Sequence, residues 1–532
     1  MKKILLYTVA ATCMMGTLSS CENDFDAKIF GQLSTTNFPA TATDYENYLM
    51  DCYVPYTFTW GYKFGNANRQ CIPTILLKTL DITTDESSPW LLNGSWGGDW
   101  IFMPNAQFGD MAYADRGSDY EKVRDITRFT TIIDEINKAP DHILSEQKKN
   151  SMLGEARLCR GLMMYYLLHL YGPVPVIVDP AKVSNQDEEA YLERPSLDVM
   201  TQYITDDLLF ATQHAPETQS EKGRFTADFA RFCLMRHYLN EGSHMDGYYQ
   251  KAYDMYSQFH GSYSLFDKGE NPYADQFKNA NKFNQETIMA VSCNSNSTGD
   301  GTDGNFNPLS WQLIPVDATK VDDKGNPTPF YLQGGGWGQC YNVSKYFYDS
   351  FEHGDKRAET ILTSYYSSKY GWVTPDKIGD LWDGFIINKY PIETASAFQG
   401  TDFPLARWAD VLLMRAEADV RWHNTVSSEA ITCVNLVRHR AGLQDLSQDK
   451  TSSVSSFLDA LLMERGHEMM FEGCRKIDLI RFGKYYTQKT ACGSKPSSQY
   501  FPIPDYAVQQ AQNSGYTLTQ YYTRDNYDGP KR

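Results

Sequence analysis

Apolar side chains recur at intervals of three and four residues along several stretches of this chain, which is the spacing of one face of an α-helix. The segment 147–171 is apolar around much of its circumference and runs into Gly172 and Pro173, a pair that ends helices. We therefore predict a helix there that packs on more than one side. The same pattern predicts further helices, over residues 119–138, 196–213, 226–241, 248–259, 405–422, 427–441 and 455–472.

Several of these predicted helices follow one another with short connections, and such consecutive helices tend to pack antiparallel. The pairs 226–241 with 248–259, and 405–422 with 427–441, have the size of tetratricopeptide-type units. A fixed repeat of about 34 residues cannot be read from the sequence. The pattern therefore predicts a mainly α-helical protein built on a tetratricopeptide-like scaffold of helix pairs.

Long polar stretches rich in glycine and asparagine separate the predicted helices, at 56–118, 261–343 and 361–404. Stretches of this length in a compact chain usually serve a function or are disordered. Their many aromatic residues argue against disorder. Two β-rich stretches, TIMAVSCN and GFIINKYP, predict short strands. We expect one domain in which long irregular loop insertions and a few short strands accompany the helical scaffold.

The first residues have the layout of a secretory signal. A charged start, MKK, precedes the mostly apolar and uncharged residues 4–16, which are too few to span a bilayer as a stable anchor. Small residues follow directly before Cys21. This layout predicts a signal peptide over residues 1–20 and a mature chain over residues 21–532.

The residues around Cys21, in the run LSSC, resemble a bacterial lipobox. The resemblance implies cleavage before Cys21, acylation of that cysteine and a lipid anchor in a membrane. The acids of the run ENDFD that begins there suggest a solvated tether. An ordinary signal peptide with a chance cysteine at its end is the alternative.

Charge and cysteine content exclude several functions. The formal net charge is −17, and it becomes −19 once the two lysines of the leader are removed. Such a surface repels nucleic acid. Of 11 cysteines, removal of Cys13 and lipidation of Cys21 leave nine, an odd number that forbids complete pairing. The sequence has no C-x-x-C pair, which disfavours a zinc ribbon or a thioredoxin-like motif.

Aromatic residues are abundant, with 10 Trp, 36 Tyr and 27 Phe, and many lie in the polar stretches. In SPWLLNGSWGGDW, residues 88–100, three tryptophans stand among Gly, Ser, Asn and Asp. An aromatic ring buries the flat C–H face of a sugar while polar side chains bond its hydroxyls. We predict a sugar site here, and the alternative is that the rings fill a core beneath the loop. The candidate ring contacts are Trp90, Trp96 and Trp100, and the candidate hydroxyl partners are Asn93 and Asp99.

Secondary candidates for ligand contact lie further along the chain. Trp311 stands in FNPLSWQL, Trp337 in the glycine-rich run GGGWG, and Tyr331 shortly before it. The glycine-rich run does not lead into GK[ST] and is not a phosphate loop. It is interpreted as a flexible loop that presents Trp337.

Catalytic and zinc sites are not predicted. The run HEMMF lacks the second histidine of H-E-x-x-H, because Phe471 occupies that position. Glu464, Glu468 and Glu472 are four residues apart on one face of a predicted helix. Glycosidase carboxylates instead flank the sugar from separated positions. We expect an ion-pair network between these glutamates and the nearby Arg465, Arg475 and Arg481.

Calcium is the one metal for which residues of the right type are present. The candidate ligands are Asp300, Asp303, Asp317, Asp322 and Asp323. Their spacing does not match the EF-hand pattern. Solvated acids in turns are therefore the default interpretation, and no cofactor is predicted.

Five segments resemble the SusD/RagB family of Bacteroidetes nutrient-uptake lipoproteins, in the order in which that family has them. They are ARLCRGLMMYYLLHLYGPVPVI, RWADVLLMRAEADV, VNLVRHRAGL, ERGHEMMFEGCRKIDLIRFGK and YFPIPDYAV. Together they extend over most of the mature chain. The chain departs from the family pattern at Ala507 and Val508, where an acid is frequent, and at residues 513–516, which read NSGY in place of NPGY.

This resemblance implies a surface-exposed outer-membrane lipoprotein of the kind encoded for polysaccharide utilisation. It implies a tetratricopeptide-like scaffold that binds oligosaccharides and passes them to a SusC-like TonB-dependent transporter. It implies no enzymatic activity. The alternatives are a helical scaffold for another protein, capture of a non-glycan nutrient such as a peptide, and a hydrolase with an unrecognised carboxylate pair.

Overall fold

The computed structural model describes the greater part of the chain. The described residues are 38–58, 62–64, 67–69, 71–87, 119–183, 193–295, 305–330, 342–377, 384–394, 398–496 and 498–520. Contacts divide the chain into Met1–Glu46 and Asn47–Arg532. Of the first unit only residues 38–46 are described, and they include the start of the helix Ala42–Met50.

Helices dominate the described residues. The longer ones are α1 (Ala42–Met50), α2 (Val123–Lys138), α3 (Glu146–Tyr171), α4 (Leu197–His214), α5 (Ala227–Glu241), α6 (Tyr248–Met255), α7 (Trp408–His423), α8 (Ser428–Arg440), α9 (Val454–Met469), α10 (Arg475–Arg481), α11 (Tyr485–Ala491) and α12 (Asp505–Asn513). Short turns of helix include Ile72–Ile75, continued as Leu76–Asp81, together with Pro272–Asp275, Leu309–Leu313, Lys345–Tyr348 and Gln448–Thr451. The mainly α-helical prediction is confirmed.

Local sequence sets where many of these helices begin. A serine or threonine side chain accepts a hydrogen bond from a backbone N–H of the first turn, which satisfies a donor that has no partner within the helix. The capping residues are Ser145, Ser196, Thr226, Ser427 and Ser453. At the other end α3 stops at Gly172, whose φ of +72° suits glycine.

The helices pack in succession along the chain. Each of α2 to α6 packs against the next, and α7 packs against α6, α8 and α9, so the two groups of predicted helices form one scaffold. Close approach depends on small residues: a side chain at Gly154 of α3 would place its Cβ 2.4 Å from the backbone nitrogen of Ala215. Around α7 the core consists of apolar side chains, among them Leu413, Val434 and Leu461.

Short antiparallel strands lie in the stretches between the helices. The pairs are β1 (Tyr62–Phe64) with β2 (Ala67–Arg69), β3 (Thr287–Val291) with β8 (Phe403–Arg407), β4 (Ile361–Leu362) with β7 (Ile386–Ile387), and β5 (Tyr365–Ser367) with β6 (Gly371–Val373). Strands β3 and β7 confirm the two strand predictions. The prediction that the helix begins at residue 405 was wrong, because residues 405–407 pair with β3 and the helix starts at Trp408.

The predicted network of buried ion pairs is present, although its cations differ from those expected. Glu464 accepts from Arg357 at 2.6 Å, and Glu468 accepts from Arg407 at 2.9 Å. Burial raises the pKa of Glu468, but Arg440, Arg407 and Arg357 outweigh it and hold that pKa below its ordinary value. The arginines predicted from sequence pair elsewhere: Arg465 with Asp410 and Asp478, Arg475 with Asp85, and Arg481 with Glu417 and Asp478.

Within the described residues, none of the helices combines the length and the apolar character needed to cross a membrane.

Candidate functional site

Most of the residues predicted to bind ligand lie outside the described residues. These are Trp90, Asn93, Trp96, Asp99, Trp100, Tyr331 and Trp337, and the predicted lipidation site Cys21 is outside them as well. Trp311 lies on the short helix Leu309–Leu313. The described residues include those that flank the segments carrying these candidates.

One end of the segment 88–118 and one end of the segment 331–341 are flanked by residues that contact each other. Ser87, which precedes the first segment, donates its hydroxyl to the Asn342 side chain at 3.0 Å, and Asn342 follows the second segment. The backbone nitrogen of Ser344 donates to the carbonyl of Glu86 at 2.8 Å. The residues that flank the tryptophan-rich and the glycine-rich runs, Ser87 and Asn342, therefore lie within hydrogen-bonding distance.

A third chain segment joins the same place. Val343 and Phe385 exchange two backbone hydrogen bonds, of 2.9 and 2.7 Å, in an isolated antiparallel bridge. Gly384 precedes Phe385 with a φ of +120°, and a Cβ there would lie 2.7 Å from the carbonyl oxygen of Val343. We call the residues 81–87, 342–344 and 384–385 the loop base.

Buried acids fix the loop base to the motif FEGCR. Asp85 receives two hydrogen bonds from the guanidinium of Arg475, at 2.9 and 2.8 Å. Asp81 accepts from the backbone nitrogen of Gly473 at 2.6 Å, and Glu86 accepts from that of Phe471 at 3.3 Å. All three acids are buried. Burial is the largest effect on the pKa of Asp81, which it raises to about 8, and it also raises the pKa of Glu86.

The backbone of FEGCR contains two residues in the left-handed region. Phe471 and Gly473 both have left-handed φ angles, +53° and +78°. A Cβ on Gly473 would lie 2.5 Å from the Cβ of Leu76, which is the first residue of the Leu76–Asp81 turn. The motif therefore presents three backbone N–H groups, those of Phe471, Gly473 and Arg475, to the acids of the loop base.

Helix α11 supports the loop base from a second side. The ammonium of Lys489 donates to the carbonyl of Thr84 at 2.7 Å, and the hydroxyl of Tyr485 donates to the carbonyl of Thr83 at 3.0 Å. Next to it, Tyr346 donates its hydroxyl to the side chain of Gln488 at 2.8 Å while 39% of the residue remains exposed. An oriented aromatic ring thus borders the loop base.

Exposed aromatic rings that sequence reasoning did not single out lie on the β5–β6 hairpin. Tyr366 and Trp372 are opposite one another, with ring centroids 5.7 Å apart and an angle of 81° between the rings. Trp372 is 42% exposed, and Tyr370 in the turn is 50% exposed. The tyrosine-rich run YYSSKYGW was the signal available in the sequence, but residue identity alone does not separate rings in a core from rings in solvent.

A second exposed aromatic group lies on the helical scaffold. Trp422 at the end of α7 is 37% exposed and packs against His423 and Tyr253 at centroid distances of 4.1 and 5.2 Å. The guanidinium of Arg415 lies over the Tyr253 ring. The Arg415 guanidinium is itself buried and paired with Glu429 at 2.8 Å, so the surface of this group consists of its aromatic rings.

The described acids do not assemble a metal site. Asp317 accepts from Tyr365 at 3.2 Å and from Ser367, and Asp322 accepts from backbone and side chain of Asn326 within its own turn. Asp300 and Asp303 lie outside the described residues. In the part of the chain that is described, no three His, Cys, Asp or Glu side chains are grouped to hold a metal ion.

His467, from the run that resembles a zinc motif, is buried in the core. Its Nε2 lies 2.8 Å from the hydroxyl of Ser350, and its ring stacks on Phe351 at 4.1 Å. Burial, followed by the nearby Arg357, lowers the pKa of His467 well below its ordinary value. The His467 side chain is therefore a neutral ring that packs in the core.

Comparison with known proteins identifies the family. A family model described as "SusD family" matches residues 207–532, and one described as "Starch-binding associating with outer membrane" matches residues 113–239. The chain belongs to the SusD family. The helical scaffold described above is accordingly the tetratricopeptide-like fold of SusD-like proteins, and the predicted membership is confirmed.

Curated relatives agree with this membership. A "SusD-like protein" of Bacteroides ovatus is 27% identical over 396 residues, which are 68% of this chain and 65% of the relative. The "Starch-binding protein SusD" of Bacteroides thetaiotaomicron is 25% identical over 494 residues, 81% of this chain and 82% of the relative. The chain thus spans just under two thirds of the length of the first of these relatives.

Solved structures share the fold. The "Surface glycan-binding protein A from Bacteroides thetaiotaomicron in complex with laminarihexaose" superposes with a TM-score of 0.67 at 18% identity, covering 91% of this chain and 100% of that one. A "Laminarin binding SusD-like protein" gives 0.66 at 21% identity, covering 90% and 98%. At these identities the likeness concerns the fold alone.

Proposed function

We propose that this SusD-family protein captures an extracellular oligosaccharide or polysaccharide and delivers it to a SusC-like TonB-dependent transporter. The observation that carries the proposal is the loop base. It holds the attachment points of two segments rich in aromatic and small polar residues against each other. Because aromatic rings bind the C–H faces of sugars while polar side chains bond the hydroxyls, segments of this composition suit glycan capture.

The relatives favour the same substrate class. One family model is described as starch-binding, and two structures of the same fold have titles that name laminarin or laminarihexaose. We propose that Trp90, Trp96 and Trp100 provide the main ring contacts. Secondary contacts come from Trp311, Tyr331 and Trp337, and hydroxyl contacts from Asn93 and Asp99.

The proposed location is the outer membrane, at the cell surface. The description of the second family model includes association with the outer membrane. The run LSSC supports removal of residues 1–20 and lipid attachment at Cys21, which leaves residues 21–532 as the mature glycan-binding domain. A lipid anchor of this kind would place the protein beside its transporter.

Binding without catalysis is part of the proposal. Glu464, Glu468 and Glu472 are buried and accept charge-assisted hydrogen bonds from arginine or lysine, so these carboxylates are engaged in the scaffold. A glycosidase needs two carboxyl groups that face a sugar across a cleft. The glutamate row therefore has a structural task.

Calorimetric titration against a panel of neutral and anionic oligosaccharides tests the proposal. Saturable binding to one class, lost in Trp96→Ala without loss of folding, is the expected result. Trp422→Ala is the matched control, because it removes an exposed indole on the helical scaffold. If the folded protein releases no heat with any glycan of the panel, glycan capture is refuted and a peptide or protein ligand takes its place.

The aromatic group at Trp422 favours a second candidate function. An exposed cluster of Trp422, Tyr253 and His423 on a helical scaffold suits contact with another protein. Loss of co-purification with a partner in Trp422→Ala, with glycan binding unchanged, would support that function. Co-purification that survives the substitution would remove this cluster from the interface.

A further inference from the structure

The β5–β6 hairpin divides its side chains between core and solvent. Tyr365, Ser367 and Val373 point to one side and are at most 2% exposed. On the other side are Tyr366 and Trp372, which form a cross-strand pair. Side chains alternate across a strand, so a ring that faces solvent is not required by the core. The hairpin thus presents aromatic surface that folding does not explain.

The hairpin is held firmly in place. The Ser367 hydroxyl oxygen accepts from the backbone nitrogens of Lys369 and Tyr370, at 3.1 and 2.9 Å, which fixes the turn. The same hydroxyl donates to Asp317, and the backbone nitrogen of Ser368 donates to the Asp317 carbonyl at 2.8 Å. Rings on a fixed backbone lose little freedom when a ligand binds, which favours a binding role.

The rings are available to a ligand. Trp372 is 42% exposed, and its edge-to-face contact with the half-buried Tyr366 leaves ring surface open to solvent. Tyr370 carries the ammonium of Lys369 at 4.8 Å from its centroid, which places a hydrogen-bond donor beside an exposed ring. Apolar ring faces beside a polar donor match the C–H faces and flanking hydroxyls of a sugar.

Local charge favours a neutral ligand. The segments 316–328 and 365–377, which form the hairpin and its support, carry four acids and four bases, so their formal charge is zero. A strongly anionic or cationic partner would find no complementary field there. Uncharged hexose or pentose chains do not need a complementary charge.

The hairpin packs on a segment that leads, along the chain, into residues 331–341. The backbone nitrogen of Thr319 donates to the Tyr366 carbonyl at 3.1 Å, and that of Thr328 donates to the Lys320 carbonyl at 2.8 Å. The same segment then reaches Phe330, which is buried and directly precedes residues 331–341. The support of the hairpin therefore leads into the run that carries Tyr331 and Trp337.

We propose that Tyr366, Tyr370 and Trp372 form a second contact platform for a neutral glycan chain, separate from the tryptophans of residues 88–100. The proposal rests on glycan capture as the function. It predicts that polymers bind more tightly than short oligosaccharides, because a polymer can engage more than one contact platform at once.

Native affinity electrophoresis of the full chain in detergent, with laminarin, amylopectin, xylan and galactomannan in the gels, tests the platform. Retardation of the wild type by at least one polymer is the test of glycan capture itself. For that polymer, Trp372→Ala is expected to weaken binding about tenfold, whereas Trp372→Phe and the control Trp422→Ala stay close to wild type. Binding of the matching trisaccharide is expected to be unchanged in all variants.

Hydroxyl-radical footprinting of the wild type with the same polymer gives a readout that does not depend on a variant that folds. Oxidation of Trp372 and Tyr370 is expected to fall when the polymer is bound. If the polymer retards Trp372→Ala as strongly as the wild type, and the footprints do not change, the platform is overturned while glycan capture stands. Absence of any retardation of the wild type would overturn both. Val316 and Val321 are also exposed nearby, and protection of the hairpin by a protein partner alone would replace the glycan with that partner.

Discussion

Arg475 connects the loop base to the scaffold, and its replacement tests how much that connection stabilises the protein. The guanidinium donates to both oxygens of Asp85, at 2.9 and 2.8 Å, and to the carbonyl of Leu462 at 2.8 Å. Arg475 and Asp85 are at most 1% exposed. In Arg475→Met the Asp85 carboxylate would stay buried without its cation, which costs about 3–5 kcal/mol.

Urea unfolding followed by circular dichroism measures this cost as a change in the free energy of unfolding. Lys345→Met is the matched control, because its pair with Asp349 is exposed, 72% and 54%, and such pairs contribute about 0–1 kcal/mol. The double variant Asp85→Asn with Arg475→Met should be more stable than Arg475→Met alone, since no charge is then left unpaired. A loss below about 1 kcal/mol in Arg475→Met would refute the assigned role of the pair.

Further measurements probe the same region and the scaffold. Burial raises the pKa of Asp81 to about 8, so the folded state holds a proton there that the unfolded state releases above its ordinary pKa near 4. The free energy of unfolding should therefore fall as pH rises from about 4 to 8. Asp81→Asn should flatten that slope. An unchanged slope would contradict the shift. At Gly473, φ is +78° and an added Cβ would meet a side chain at 2.5 Å, whereas Gly483 has φ +68° and open space around it. Gly473→Ala should therefore lower the melting temperature more than Gly483→Ala. Equal melting temperatures of the two variants would contradict this. Although burial raises the pKa of Glu417, Arg481 outweighs it and lowers that pKa to about 2, so its contribution is present above about 4.5 and is lost as pH falls to about 2. In Glu417→Gln the acid limb of the stability profile should be shallower, and a profile identical to wild type would exclude the effect.

Periodicity in the sequence predicted the helical scaffold because helix formation depends on neighbouring residues. The boundaries of α4, for example, were predicted as 196–213 and are Leu197–His214, because a serine cap and apolar spacing act within a few residues. The helix predicted at 405–422 begins at Trp408 because residues 405–407 are drawn into a strand by β3, which is more than one hundred residues away. The pattern of neighbouring residues does not indicate a strand partner so far away in the sequence.

In the ion pairs, too, local spacing predicted one part and distant segments decided the other. The spacing predicted that Glu464, Glu468 and Glu472 share one helical face, but this was wrong for Glu472, because the helix ends at Met469. Their main cations come from other segments, Arg357 and Arg407 among them. Which charge fills a buried site depends on the tertiary fold, because distant segments bring the nearest guanidinium.

The sequence by itself determined the family, the helical class and the run of tryptophans that suggests sugar binding, because these depend on residue identity and short-range spacing. Only the tertiary structure decided that Ser87 and Asn342 meet, and hence that two aromatic-rich segments share one base. It also decided that Trp372 faces solvent while Tyr365 is buried. Exposure is set by what packs against a residue from elsewhere in the chain, and that information is distributed over the whole fold.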